Sequence, residues 1–234
     1  MPKRFPVSVI TLAPSGHSQV LHMKRKLSEE FEEVLVIESN TPITDFSAAR
    51  NRAIKQAHCN WILMLDLDEE IQIPNKNAFM QFLTQKNIIG KIRRTDVFYG
   101  QLLTHGELAR QWPIRLFRKE AGRYQGQVHE VFESDAQVRT APAHIIHSAH
   151  SSVSEFISSV ARYAEIAAQT ESSSQLVLLG KLATLPLGKF VYTFLILSGW
   201  RDGWRGFCYS VCMSLHSLWV RVIAWEKFHT SHDT

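Results

Sequence analysis

The chain is poor in cysteine, with three thiols (Cys59, Cys208 and Cys212) in 234 residues. Their spacing fits neither a disulfide framework nor a zinc knuckle, which excludes a cross-linked extracellular scaffold and a structural zinc domain. On a helix Cys208 and Cys212 share a face, and they read as buried thiols in a reducing compartment. No Lys/Arg cluster alternates with aromatics and the net charge is only +4, so nucleic acid is not an expected partner. The N-terminal MPKRFPVSVITL lacks the long apolar core and small-residue cleavage site of a secretory signal, which predicts a cytosolic chain. Repeats and low-complexity segments are missing, and Ser172 to Ser174 is the only linker-like run. Long uninterrupted apolar runs are missing too. Phe190 to Trp200 falls short of the roughly 20 residues a bilayer requires, and Phe207 to Trp225 is interrupted by His216 and Arg221.

What is present is centred on Trp61 to Glu70, WILMLDLDEE. Five apolar residues ending in acids predict a strand buried on both faces of a parallel sheet. Such a strand delivers Asp66 and Asp68 to its C-terminal end, where open α/β sheets hold ligands. Two carboxylates one residue apart there can share magnesium or manganese, hard cations that prefer oxygen ligands.

The length allows one α/β core with an appendage, or two small domains. Phe5 to Leu12 reads as an opening strand stopped by Pro14-Ser15-Gly16, and Ser18 as the cap of a helix reaching Phe31. Val34 to Ile37 is a second strand. Asp45 or Ser47 then caps an alanine-rich helix that runs into the central strand. This β-α-β-α-β order predicts a parallel, doubly wound sheet. Beyond the acids, Pro74 is placed in the first turn of a helix with Phe79, Phe82 and Leu83 inward. Ile88 to Tyr99, Ile114 to Phe117 and His144 to His147 read as strands, Gly122 to Glu130 as loop, and Val153 to Gln169 as a helix. The expected domains are 1–150 and 151–234.

The tail from Leu176 differs in character. It holds four of the six tryptophans and +3 of the +4 net charge. Phe207, Val211, Leu215, Leu218, Val222 and Trp225 form a helical stripe flanked by basic residues and tryptophans. Two readings stand: a helical pair packed on the core, or an amphipathic segment lying in the headgroup layer of a membrane.

Four stretches together resemble family 2 glycosyltransferases of the GT-A fold, the bacterial lipopolysaccharide-core glucosyltransferases and their neighbours among them. They are Phe46-Ser47-Ala48-Ala49-Arg50-Asn51, the Trp61 to Glu69 strand, Arg115-Leu116-Phe117-Arg118 and Val128-His129-Glu130. His147-Ser148, Phe156 to Tyr163 and Gly199 to Gly203 extend the resemblance into the tail. Two departures stand out. Ala13-Pro14 replaces an Asn-Glu pair after the first strand, and one strand-helix step is missing between Leu12 and Asp45.

The resemblance implies an inverting transfer of a sugar from a nucleotide diphosphate, a UDP-sugar first of all. The acceptor it implies is a glycolipid or glycan, and the location is the cytoplasmic face of the inner membrane. Asp66 and Asp68 would hold magnesium or manganese, neutralising the leaving pyrophosphate. Thr11, Glu38, Arg50, Asn51 and Asp66 would bind the donor. Arg50 serves equally as a structural ion pair behind the metal site. Arg115 and Arg118 are read as alternating on one strand face and binding phosphates, with a solvated face as the plain alternative, and His129 joins them. Glu130 would be the general base that deprotonates the acceptor hydroxyl, an ordinary loop acid being the other reading. Two rival classes remain, a non-catalytic membrane-bound relative that has lost part of its nucleotide subsite, and a magnesium-dependent phosphotransferase or nuclease.

Overall fold

The computed structural model of the chain describes residues 4–41, 43–126, 130–148, 152–171 and 173–230. The chain divides into two compact units, one built from Met1–Arg94 and Trp112–His147, the other from Thr95–Gln111 and Ser148–Thr234. Residues 95–111 therefore go with the C-terminal helices and not with the 1–150 domain. The reason is apolar contact, since Phe98 and Leu103 share a buried cluster with Phe156, Val160, Tyr209 and Cys212.

In the first unit the expected winding is present at the N-terminal end. Strand β1 (Phe5–Pro14), helix α1 (Gln19–Glu30), β2 (Phe31–Ser39), α2 (Phe46–Gln56) and β3 (Trp61–Met64) follow in order. Strand β1 pairs in parallel with both β2 and β3. Side-chain alternation then makes three layers. Val7, Val9, Trp61 and Leu63 turn to a core shared with Met23 and Leu27 of α1 and with Phe79, Phe82 and Leu83. Ile10, Ile62 and Met64 turn the other way, to Ala53 and Ile54 of α2. Phe31, Phe79 and Phe117 are fully buried, each contributing about 1.5–3 kcal/mol through burial.

The rest of the sheet corrects the mostly parallel expectation. The strand order is β2-β1-β3-β7-β5-β10-β4, with β7 (Ile114–Arg118), β5 (Ile88–Phe98), β10 (Gln137–His147) and β4 (Glu69–Gln72). The β3/β7, β5/β7 and β10/β4 pairings are all antiparallel, so the sheet is mixed. The central strand also ends earlier than its apolar run suggested. Strand β3 stops at Met64, the chain turns through Asp66 to Asp68, and Glu69 opens β4. Helix α3 (Lys76–Thr84) is capped by Asn75, whose side chain accepts from Ala78 N at 3.0 Å, so Pro74 lies just before the cap. Strand β6 (Gln101–Leu102) pairs with β5. The segment read as loop at Gly122 contributes a hairpin, β8 (Arg123–Gln125) with β9 (Val131–Glu133).

The second unit is helical. Helix α4 (Val153–Gln169) matches its expected bounds, with the Ser152 side chain accepting from Glu155 N at 3.1 Å. Helix α5 (Gln175–Val191) continues through a π turn to Ile196, and α6 (Gly203–Thr230) follows a 3-10 turn at Gly199–Asp202. The continuous helical runs Gln175–Ile196 and Gly199–Lys227 are long and apolar enough to cross a membrane, with 11% and 33% of their apolar windows buried. This corrects the shorter runs read from sequence, because Pro186 and Gly188 lie inside α5 without ending it.

The entry to α6 depends on close backbone approach. A Cβ on Gly206 would stand 1.9 Å from the Gly199 carbonyl oxygen, whereas one on Gly180 meets nothing within 4 Å. Gly206→Ala should therefore cost about 3 kcal/mol, and Gly180→Ala should stabilise by about 0.5–1 kcal/mol through helix propensity. Urea denaturation of both variants tests this, and equal midpoints would refute the close-approach account.

Candidate active site

The site is built at the C-terminal end of the parallel β1/β3 pair. Leu65 N still donates to Ile10 O at 3.0 Å, so Asp66 is the first residue beyond the ladder. Its two carboxylate oxygens are held by two arginines. Arg50 Nη2 donates to Oδ1 at 2.9 Å and Arg115 Nη2 to Oδ2 at 2.7 Å. Burial alone would raise the Asp66 pKa, but the Arg115 and Arg50 charges more than offset it and hold the carboxyl well below the usual range.

Each arginine reaches further. Arg50, on the second turn of α2, also donates from Nε to Glu130 Oε1 at 3.1 Å, and its guanidinium carbon lies 5.4 Å from the Tyr124 ring centroid. Arg115 also donates to Glu69 Oε1 at 2.7 Å. The Glu69 side chain is fully buried, accepts Asp66 N at 3.0 Å and pairs with Arg94 at 3.5 Å. Arg50, Arg94 and Arg115 against Asp66, Glu69 and Glu130 make a network of balanced formal charge. Donors are left over within it: Arg50 Nη1 and the Tyr124 hydroxyl are buried without a hydrogen-bond partner. Burial pushes Tyr124 up to about 12, so its O–H stays protonated.

Helix α2 fixes the far wall of the site. Asp45 caps it, accepting from Ala48 N at 2.8 Å. The Asn51 side chain then clamps the backbone of Tyr124, donating to its carbonyl at 2.8 Å and accepting its N–H at 2.9 Å. Ser47 donates to the Gly126 carbonyl. Asn51 thus positions the backbone of Tyr124.

Asp68 has different surroundings. Its side chain is 43% exposed and lies 3.3 Å from His147 Nε2. The β10/β4 register sets His147 opposite Glu69, which brings the imidazole beside the acid turn. The hydrogen bond from His147 holds the Asp68 carboxyl below its usual value.

The remaining candidates separate. Arg115 and Arg118 do not share a face, because a three-residue step along a strand reverses the side-chain direction. Arg118 instead stacks 4.9 Å over Trp61 and donates to the Gln85 carbonyl at 3.2 Å. Thr11 is fully buried, with its hydroxyl 3.8 Å from Met23 Sδ. Glu38 accepts from Gly16 N at 3.1 Å on an exposed turn. His129 lies outside the described residues. In the sequence Glu69 is no more than an alternative base should Glu130 be a binding residue, and Tyr124 and His147 carry no role. The acid run pointed at Glu69 and the resemblance at His147-Ser148, but nothing local marked Tyr124.

Among the described residues no group of three or more His, Cys, Asp or Glu side chains could hold a metal ion. Magnesium, however, is commonly held by one or two carboxylates together with substrate phosphates. Asp68 fits that pattern. Asp66, already neutralised by two guanidiniums, fits it less well than expected.

No protein-family model matches the chain, and no curated protein does. Among solved structures the chain is similar to S. aureus TarS, with a TM-score of 0.36 and 12% identity over 83% of this chain and 45% of that one. It is also similar to S. aureus TarS 1-349 in complex with UDP, at 0.37 and 11% identity over 96% and 91% of the two chains. The same protein in complex with UDP-GlcNAc gives 0.36 and 10% over 96% and 92%. The chain thus spans under half of the longest of these, and a likeness at such TM-scores carries no argument about binding or activity.

Proposed function

We propose that the chain is an inverting glycosyltransferase. It moves a sugar from a nucleotide diphosphate donor, a UDP-sugar first of all, to a glycan or glycolipid acceptor at the cytoplasmic surface of a membrane. The observation that supports this most is convergence. Arg50 reaches Asp66 and Glu130, sixteen and eighty residues away, and Arg115 reaches the same Asp66. The four stretches that resemble family 2 glycosyltransferases therefore meet at one point.

Each residue then has a task. Arg50, with its unpartnered Nη1, and the Tyr124 hydroxyl offer donors to oxygens of the donor phosphates. Asp68, with the donor phosphates, would hold magnesium or manganese, whose charge would stabilise the leaving nucleotide diphosphate. Glu130 would accept the acceptor's proton through Oε2, the oxygen that Arg50 leaves free. Arg115, Glu69 and Asn51 position these groups without touching substrate.

The membrane part rests on the second unit. Leu176, Leu187 and Ile196 are 81%, 66% and 66% exposed, and Trp200 and Trp204 are half exposed beneath Arg201 and Arg205. Exposed apolar surface rimmed by stacked arginines suits the headgroup layer of an anionic membrane.

Calorimetry of nucleotide sugars with and without manganese tests the reading. Asp68→Ala should abolish manganese-dependent binding while leaving the unfolding midpoint in place. Unchanged affinity with metal present would remove Asp68 from the site. Donor binding without hydrolysis or transfer by purified protein would favour the non-catalytic relative.

A further inference from the structure

Between α5 and α6 lies an open pocket of about 380 Å³, lined by Leu185, Gly188, Lys189, Tyr192, His216, Ser217 and Arg221. It sits wholly within the helical unit and contains none of the residues given a role in sugar transfer. Such a volume suits a small ligand or a head group. The Ser214 hydroxyl donates to the Pro186 carbonyl at 2.7 Å, tying the two helices together one turn from the opening.

The charges lining it are unequal. Lys189 is paired with Glu107 at 2.8 Å, so the two cancel. His216 is held below the usual histidine range, by burial first and then by the Lys189 and Arg221 charges. Among the described residues Arg221 donates only to its own helix, to the Ser217 carbonyl at 3.2 Å and hydroxyl at 3.4 Å, and its Nε is buried without a partner there. No carboxylate pairs with Arg221 among the described residues. The pocket therefore presents one uncompensated positive charge, with exposed Leu185 and Tyr192 beside it.

We propose that this pocket binds the phosphodiester head group of an anionic membrane lipid, with Arg221 as its charged anchor and Lys189, Tyr192 and Ser217 as further donors. A phosphodiester carries one negative charge, which matches the one unpaired guanidinium. The helices on either side expose apolar surface that acyl chains can cover, and basic pockets between apolar helices are recurrent head-group sites. The inference rests on the membrane-docking reading above and adds a stoichiometric lipid site to it.

The test uses the full chain and soluble dihexanoyl phosphatidylglycerol below its micelle concentration, followed by calorimetry. One lipid should bind per chain, and inorganic phosphate should bind more weakly. Arg221→Gln should weaken lipid binding by about tenfold or more, the loss expected of one charge-assisted contact. Arg221→Lys should restore most of it, and Lys24→Gln, which removes the same charge from an exposed helix position, should change nothing. Arg221→Gln binding like the unchanged protein would overturn the proposal, as would Lys24→Gln losing as much. Equal affinity for phosphatidylcholine, or for free phosphate, would also overturn it. Flotation with vesicles containing about one fifth phosphatidylglycerol separates the two readings. Protein that floats but fails to bind the soluble lipid retains surface docking and loses the pocket. Protein that binds the soluble lipid but does not float retains the pocket and loses the docking.

Discussion

Arg115→Met should destabilise the fold by about 3 kcal/mol, because it leaves the buried Glu69 carboxylate with only the 3.5 Å contact to Arg94 and leaves Asp66 with Arg50 alone. Arg115 and Glu69 are 9% and 0% exposed at the side chain, and one guanidinium nitrogen serves both Glu69 and Asp66. Methionine fills much of the same volume, so the loss reports charge and not a cavity. Arg118→Met, on the same strand, removes a ring contact and carbonyl hydrogen bonds at the surface and should cost about 1 kcal/mol. Equal shifts in urea midpoint for the two variants would show that the network contributes no more than the surface arginine does. The pH dependence has a definite sign. The folded Asp66 carboxyl lies below its ordinary 3.8, so its ion pairs stabilise the fold above that pH. The contribution is lost as pH falls through the lowered value. Between about pH 4 and pH 2 the unchanged protein should therefore lose stability faster than Arg115→Met.

Glu130→Gln should leave donor affinity intact and lower turnover by about 10²-fold or more. Glutamine keeps an oxygen for Arg50 Nε, which holds Glu130 Oε1 at 3.1 Å, but loses the negative charge and with it the capacity to accept a proton. Single-turnover kinetics with saturating donor would measure this directly. Turnover that persists while donor binding collapses would make Glu130 a binding residue. The base would then have to be sought elsewhere, and not at Glu69, which is sealed between Arg115 and the Asp66 amide.

The parts that were legible in the sequence share a physical origin. The β1-α1-β2-α2-β3 order and the bounds of α4 follow from local apolar periodicity and from caps such as Asp45 and Ser152. The parts that were not legible depend on partners distant in the chain. The end of β3 at Met64 is set by β4 turning away to pair with β10, which no property of WILMLDLDEE reveals. Helix α5 runs on through Pro186 and Gly188, and the Pro186 carbonyl accepts from the Ser214 hydroxyl of α6 at 2.7 Å, a partner 28 residues away. The opposed directions of Arg115 and Arg118 follow from the strand period alone and were open to a stricter count. At the site, acid and arginine positions could be nominated from motifs. The clamp of Asn51 on Tyr124 could not, since its partners are 73 residues apart.

The arginine at the second turn of α2 has a kinetic meaning as well. Its contact with Asp66 closes a span of 16 residues and its contact with Glu130 one of 80. Closing the longer span costs about 1.4 kcal/mol more in chain entropy if the intervening chain is still disordered. The two contacts should thus form in sequence during folding, Asp66 with the early parallel strands and Glu130 only after the antiparallel half has closed. A chain arrested between those events would have a nearly complete winding of β1 to β3 and no assembled contact of Arg50 with both Asp66 and Glu130. Competence for the proposed transfer would then be the last property the folding chain acquires, and the first that partial unfolding takes away.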